Sequence, residues 1–129
     1  MIKAILLLLL SLSLDTAAQE RPSLEGRPGL AEFHAYLGET FRVYGGRGAR
    51  WVERLTLQRI EDHSRPGEPV EQFRLVFHGS AASTLEKDSY FAEHPEAGRF
   101  RLFLTPGPGN GSIREIHVDM VLLTTGGGS

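Results

Sequence analysis

Glu115, His117 and Asp119 alternate along Ile113–Leu123, so an extended backbone projects all three from one face. Carboxylate, imidazole and carboxylate in a row are the residue types that hold a divalent metal or run acid–base catalysis. They are the candidate metal-ligating residues of the chain. Yet a strand that turns Ile116, Val118, Met120 and Leu122 to a core must place something polar on its other face, and a solvated polar face is the plainer reading.

Other chemistry-bearing residues are more scattered. Glu93-His94 precedes Pro95 in a turn signal, where an imidazole can catalyse or, more simply, bond nearby backbone groups and fix the turn. His78 and Ser80 lie two apart, a spacing that does not by itself make a nucleophile–base pair, and no G-x-S-x-G elbow occurs. His34 and His63 stand alone. Gly45-Gly46-Arg47-Gly48 lacks the dinucleotide and P-loop patterns, and no helical stretch follows it, so it reads as a hairpin turn. Asn110-Gly111-Ser112 matches a glycosylation sequon, which matters only in a eukaryotic secretory route. No nucleophile, acid–base pair or cofactor cradle converges, so the expectation is a protein that is not an enzyme and carries no cofactor.

Arg42, Arg54, Arg59, Arg74, Arg99 and Arg101 recur at outward positions of the strands assigned below. Arginine there either serves an interface, helped by Tyr44 and Trp51, or pairs with neighbouring glutamates and keeps the sheet soluble. The second is the plainer reading.

The totals bound the class. At 129 residues the chain makes one domain. Its formal net charge of −2 provides no basic field, which argues against nucleic acid as a partner. With no cysteine, disulfides, thiolate chemistry and sulfur-ligated zinc are excluded.

Residues 1–18 read as a signal peptide: Lys3 precedes the apolar run Ala4–Leu14, and Thr16-Ala17-Ala18 offers small residues for cleavage before Gln19. The run is too short to span a bilayer, which needs ~20 apolar residues. The predicted destination is periplasmic or extracellular, with no membrane contact after cleavage. Residues 19–29, rich in proline, glycine and charge, read as a flexible spacer, residues 30–123 as the β domain, and residues 124–129 as a disordered tail.

Within the domain, Leu30–Leu37 has near-helical spacing, with Phe33 and Leu37 placed to plug one end of the core and Gly38 to end the turn. Alternation predicts strands at Glu39–Tyr44, Trp51–Ile60 and Val70–Gly79, two more in the hairpin Leu85–Thr105, and the last at Ile113–Leu123. Glu53 shares the parity of Leu55 and Leu57, so it must sit at an open end of the sheet or beside a bulge. In the third strand, Phe73, Leu75 and Phe77 face inward and Val76 outward. Pro106–Gly111 reads as a strand-breaking turn. The fold class is therefore all-β: a small single-domain antiparallel β-barrel or β-sandwich of about six strands with a short helical lead-in.

Three stretches together carry a resemblance: Leu37-Gly38-Glu39-Thr40-Phe41, Phe73 to Gly79 (FRLVFHG), and Glu93 to Pro106 (EHPEAGRFRLFLTP). The chain resembles the DUF6916 family of small bacterial domains of unknown function over Leu30 to about Leu123. The resemblance implies a compact β domain and brings no known activity or catalytic residue. The functional expectation is an exported, non-enzymatic accessory module whose partner is another protein. The alternatives are a small-molecule-binding β-barrel and, behind it, a metal-dependent hydrolase.

Overall fold

A computed structural model describes residues 21–45 and 52–123. Within these residues, one short helix, α1 (Leu30–His34), precedes six strands: β1 (Thr40–Gly45), β2 (Val52–Asp62), β3 (Val70–Ser80), β4 (Asp88–His94), β5 (Gly98–Asn110) and β6 (Ile113–Leu123). Every pairing is antiparallel. The strand order is β1-β2-β3-β6-β5-β4, and β1 returns to pair with β4, so the sheet closes on itself. The expected leader, the tail, Trp51 and most of the Gly45–Gly48 turn lie outside the described residues.

Period-two patterning gives each strand one apolar face, and closure turns all of those faces inward. Phe41, Val43, Leu55, Leu57, Phe73, Leu75, Phe77, Leu102, Leu104, Ile116 and Val118 are all buried. Phe41 sits at the middle, its ring centroid 6.0 Å from Phe77 and 5.8 Å from Phe100, both edge-on. Each buried side chain of this size stabilises the fold by roughly 1.5–3 kcal/mol.

α1 closes one end. Its first-turn donors are satisfied by two carboxylates: Gly29 N–H donates to Glu32 Oε1 at 2.8 Å and Leu30 N–H to Glu71 Oε1 at 2.8 Å. Phe33 is buried against Phe73 and Phe100. Leu37, expected beside it, is exposed, and Tyr36 fills that place instead. The helix stops at His34, and the following turn points Tyr36 inward, where its hydroxyl donates to the Pro22 carbonyl. Gly38 takes a φ of 87°, which glycine reaches without strain, and reverses the chain into β1.

Three expectations need correction. The stretch read as a spacer is packed on the sheet over its described part: Leu24 is fully buried, its N–H donates to the Ala97 carbonyl at 2.8 Å, and Arg21 pairs with Glu39 and Glu96. One leucine among polar residues is enough to anchor a segment when the core has a place for it, and segment composition averages that leucine away. Second, Pro106–Asn110 does not break β5. The strand continues through it with a register shift between Pro106 and Gly109, an irregularity that accommodates Pro108, and the turn falls at Gly111. Third, Val76 is fully buried although it faces away from the core. Its register neighbours Arg59 and His117 carry long side chains that can cover a small one.

Candidate functional site

The outer face of β2-β1-β4-β5 gathers a row of charges that only the registers reveal. Arg54 lies opposite Arg42, Arg42 opposite Glu93, and Glu93 opposite Arg99. Two residues along, Tyr44 lies opposite Phe91 and Phe91 opposite Arg101. Because side chains alternate, all of these project to the same side. The two rings lie 5.7 Å apart at an interplanar angle of 31°. The Arg99 guanidinium carbon is 4.1 Å from the Phe91 centroid and 5.6 Å from that of Tyr44, and the Arg101 guanidinium carbon is 4.9 Å from Phe91. Cation–π contact holds both guanidinium groups over the rings.

Glu93 is the single carboxylate in this row. Tyr44 Oη–H donates to its Oε2 at 2.8 Å, and Arg42 Nη1 is 3.8 Å from its Oε1. The hydrogen bond to Glu93 raises the Tyr44 phenol above its ordinary range, with desolvation adding to the rise. Among the described residues, Arg54, Arg99 and Arg101 form no ion pair with a carboxylate. Beside the row lies a cleft of about 380 Å³ whose lining includes Thr40, Arg42, Glu93, His94, Gly98 and Arg99. Such a face can bind an anionic group, and nothing in it resembles a nucleophile with its base.

The outer face of β3 and β6 behaves differently. Glu115 and His117 are brought together, with His117 Nε2 3.0 Å from Glu115 Oε1. Arg59 donates to the other Glu115 oxygen at 3.2 Å and to Glu61 at 3.0 Å. His78 Nε2 is 3.9 Å from Glu115. Asp119 is drawn away to Arg74, which donates to it at 2.8 and 3.4 Å. The His117 hydrogen bond, then Arg59, holds the Glu115 carboxyl below its ordinary value, and Arg74 does the same to Asp119. A cation at Glu115 and His117 would compete with a guanidinium already there. Among the described residues, no three His, Asp or Glu side chains group as metal ligands.

The family model described as "Domain of unknown function (DUF6916)" matches residues 28–116. The chain belongs to this family. No curated protein and no solved structure matches it. The matched span of this DUF6916 chain holds every residue of the arginine–aromatic face, from Arg42 to Arg101, and stops before His117 and Asp119.

Two further carboxylates of the DUF6916 domain are structural. Backbone N–H groups of Glu96 and Ala97 donate to His94 Nδ1 at 3.0 and 3.3 Å, so that nitrogen carries a lone pair and Nε2–H donates to Glu39 Oε1 at 2.7 Å. His94 therefore ties the β4–β5 turn to the lead-in of β1. The Arg21 pair, then His94, holds Glu39 below its ordinary value. Glu53 sits one residue into β2, at the end of the sheet, with the register shift of β2 farther along at Leu57/Arg59. Ser83 Oγ–H donates to its Oε1 at 2.6 Å, while the buried Oε2 has no hydrogen-bond partner among the described residues.

Sequence reasoning listed Arg42, Arg54, Arg99 and Arg101 but could not sort them from Arg59 and Arg74. Five of the six alternate outward; Arg59 shares the parity of Leu55 and Leu57, and the register shift between Leu57 and Arg59 turns it out. The signal that separates them is the cross-strand partner, which depends on register.

Proposed function

We propose that this chain is an exported, non-enzymatic protein-interaction module: a filled β-barrel that binds its partner on the outer face of β2-β1-β4-β5. The return of β1 to β4 supports a barrel over a two-layer sandwich. The observation that carries the reading is the pairing of the exposed guanidinium groups of Arg99 and Arg101 with the half-buried rings of Tyr44 and Phe91 on the outer face, residue types enriched in protein interfaces. The interior supports it from the other side. A ligand-binding barrel needs roughly 300 Å³ or more of internal space, whereas here the rings of Phe41, Phe77 and Phe100 pack about 6 Å apart across the middle. Export rests on Lys3 and the apolar run Ala4–Leu14.

The test is recovery of the tagged protein from its producing cells, followed by titration against the recovered candidate. The expected result is a saturable complex that Phe91→Ala with Arg101→Ala abolishes at unchanged thermal stability. Equal binding by that double variant would move the interface elsewhere and defeat the proposal.

A further inference from the structure

We infer that the partner engages this face through an acidic segment, whose carboxylates meet Arg54 and Arg42 on one side of Glu93 and Arg99 on the other. The inference rests on the interaction-module reading and specifies the chemistry of its partner. Three arginines and one glutamate share the row Arg54–Arg42–Glu93–Arg99. Arg42 faces Arg54 directly, and like charges opposed across a strand pair destabilise the sheet. Glu93 offsets this only in part, because its Oε2 accepts from Tyr44 and its Oε1 is 3.8 Å from Arg42.

The rest of the sheet shows that this arrangement is not forced by the fold. On β2, β3 and β6, Arg59 meets Glu61 and Glu115, and Arg74 meets Asp119. Arg59 and Arg74 are thus paired with carboxylates, while on the opposite face, among the described residues, only Arg42 approaches one, Glu93 at 3.8 Å. A local rule broken on one face and kept on the other marks a site that needs an external anion. A guanidinium fork receives a carboxylate or a phosphate bidentately; the aromatic rings beside it, residue types enriched in protein interfaces, favour the carboxylate of a peptide. Stacking on Phe91 and Tyr44 holds the Arg99 fork in place before the partner arrives. The cleft of about 380 Å³ has room for a side chain, not for a folded element.

The experiment titrates the purified protein with a blocked peptide of alternating glutamate and serine, and with its glutamine counterpart, following the Nε–Hε signals of Arg42, Arg54 and Arg99 by NMR. The glutamate peptide is expected to shift these signals saturably, and the glutamine peptide to leave them in place. Arg42→Gln with Arg99→Gln should weaken binding about tenfold or more, and Arg59→Gln should leave it unchanged. Equal binding of the glutamine peptide, no binding of the glutamate peptide, or indifference to the arginine variants would overturn the inference. So would tighter binding of anionic lipid vesicles or single-stranded nucleic acid at the same arginines. A cellular partner that depends on Phe91 and Arg101 yet binds equally in high salt would remove the acidic segment while leaving the interaction module standing.

Discussion

Arg42 and Arg54 stand directly opposite each other on β1 and β2, two guanidinium groups on one exposed face. Cross-strand pairs are the unit of sheet stabilisation, and opposed like charges work against it. The fold tolerates the pair because both side chains reach solvent, where water and salt screen them. The pair lies beside the tilted rings of Tyr44 and Phe91, on the face proposed above to bind a partner.

Leu24→Ala should destabilise the domain by about 2–5 kcal/mol, the usual cost of truncating a fully buried leucine. Urea titration at neutral pH checks it. A loss below about 0.5 kcal/mol, the range of ordinary surface substitutions, would return residues 21–29 to the role of a spacer.

Gly79→Ala should also destabilise, by about 1–3 kcal/mol. A Cβ built at Gly79 falls 2.7 Å from Leu55 Cδ2 and 2.8 Å from Glu53 Oε2, so the core end of β2 would have to move. Pairing the change with Leu55→Ala, which removes the obstructing methyl, should make the two effects less than additive.

Stability should fall in acid. Arg21 and then His94 hold Glu39 below its ordinary 4.5, and Glu115 and Asp119 are held low by His117 and Arg74 respectively. A carboxyl with a depressed folded-state value binds fewer protons folded than unfolded. Its contribution is therefore complete above the unfolded value and is lost as pH drops through the folded one. Urea midpoints should be level near neutrality and decline below about pH 4.5. Arg21→Gln should flatten part of that decline by releasing Glu39.

Protein recovered from its producing cells should begin at Gln19, which an intact mass decides. A mass that includes Met1 or Lys3 would remove export from the account.

Much of the fold is legible in the chain because strand faces are local. Phe73, Leu75 and Phe77 alternate, and they are buried together. The β4–β5 turn is equally local: Pro95 and Gly98 mark it, and His94 bonds backbone N–H groups inside it. What composition hides is non-local. Leu24 is an anchor only because Ala97 and the core end lie beside it, seventy-three residues on in sequence. Pro106 and Pro108 signal a break, yet a strand survives where the neighbouring β6 tolerates an irregular pairing. The candidate site is the extreme case. Glu61, two residues from Arg59, is visible in the sequence, but only the folded sheet sets Arg54 opposite Arg42 and brings Glu115 to Arg59.

Arg54→Glu tests the central claim most directly, because it replaces the opposed like charges with an opposite pair. The account predicts that stability rises, by about 0.2–1 kcal/mol, while affinity for the glutamate peptide falls. Unchanged affinity, or a variant less stable than the parent, would contradict it.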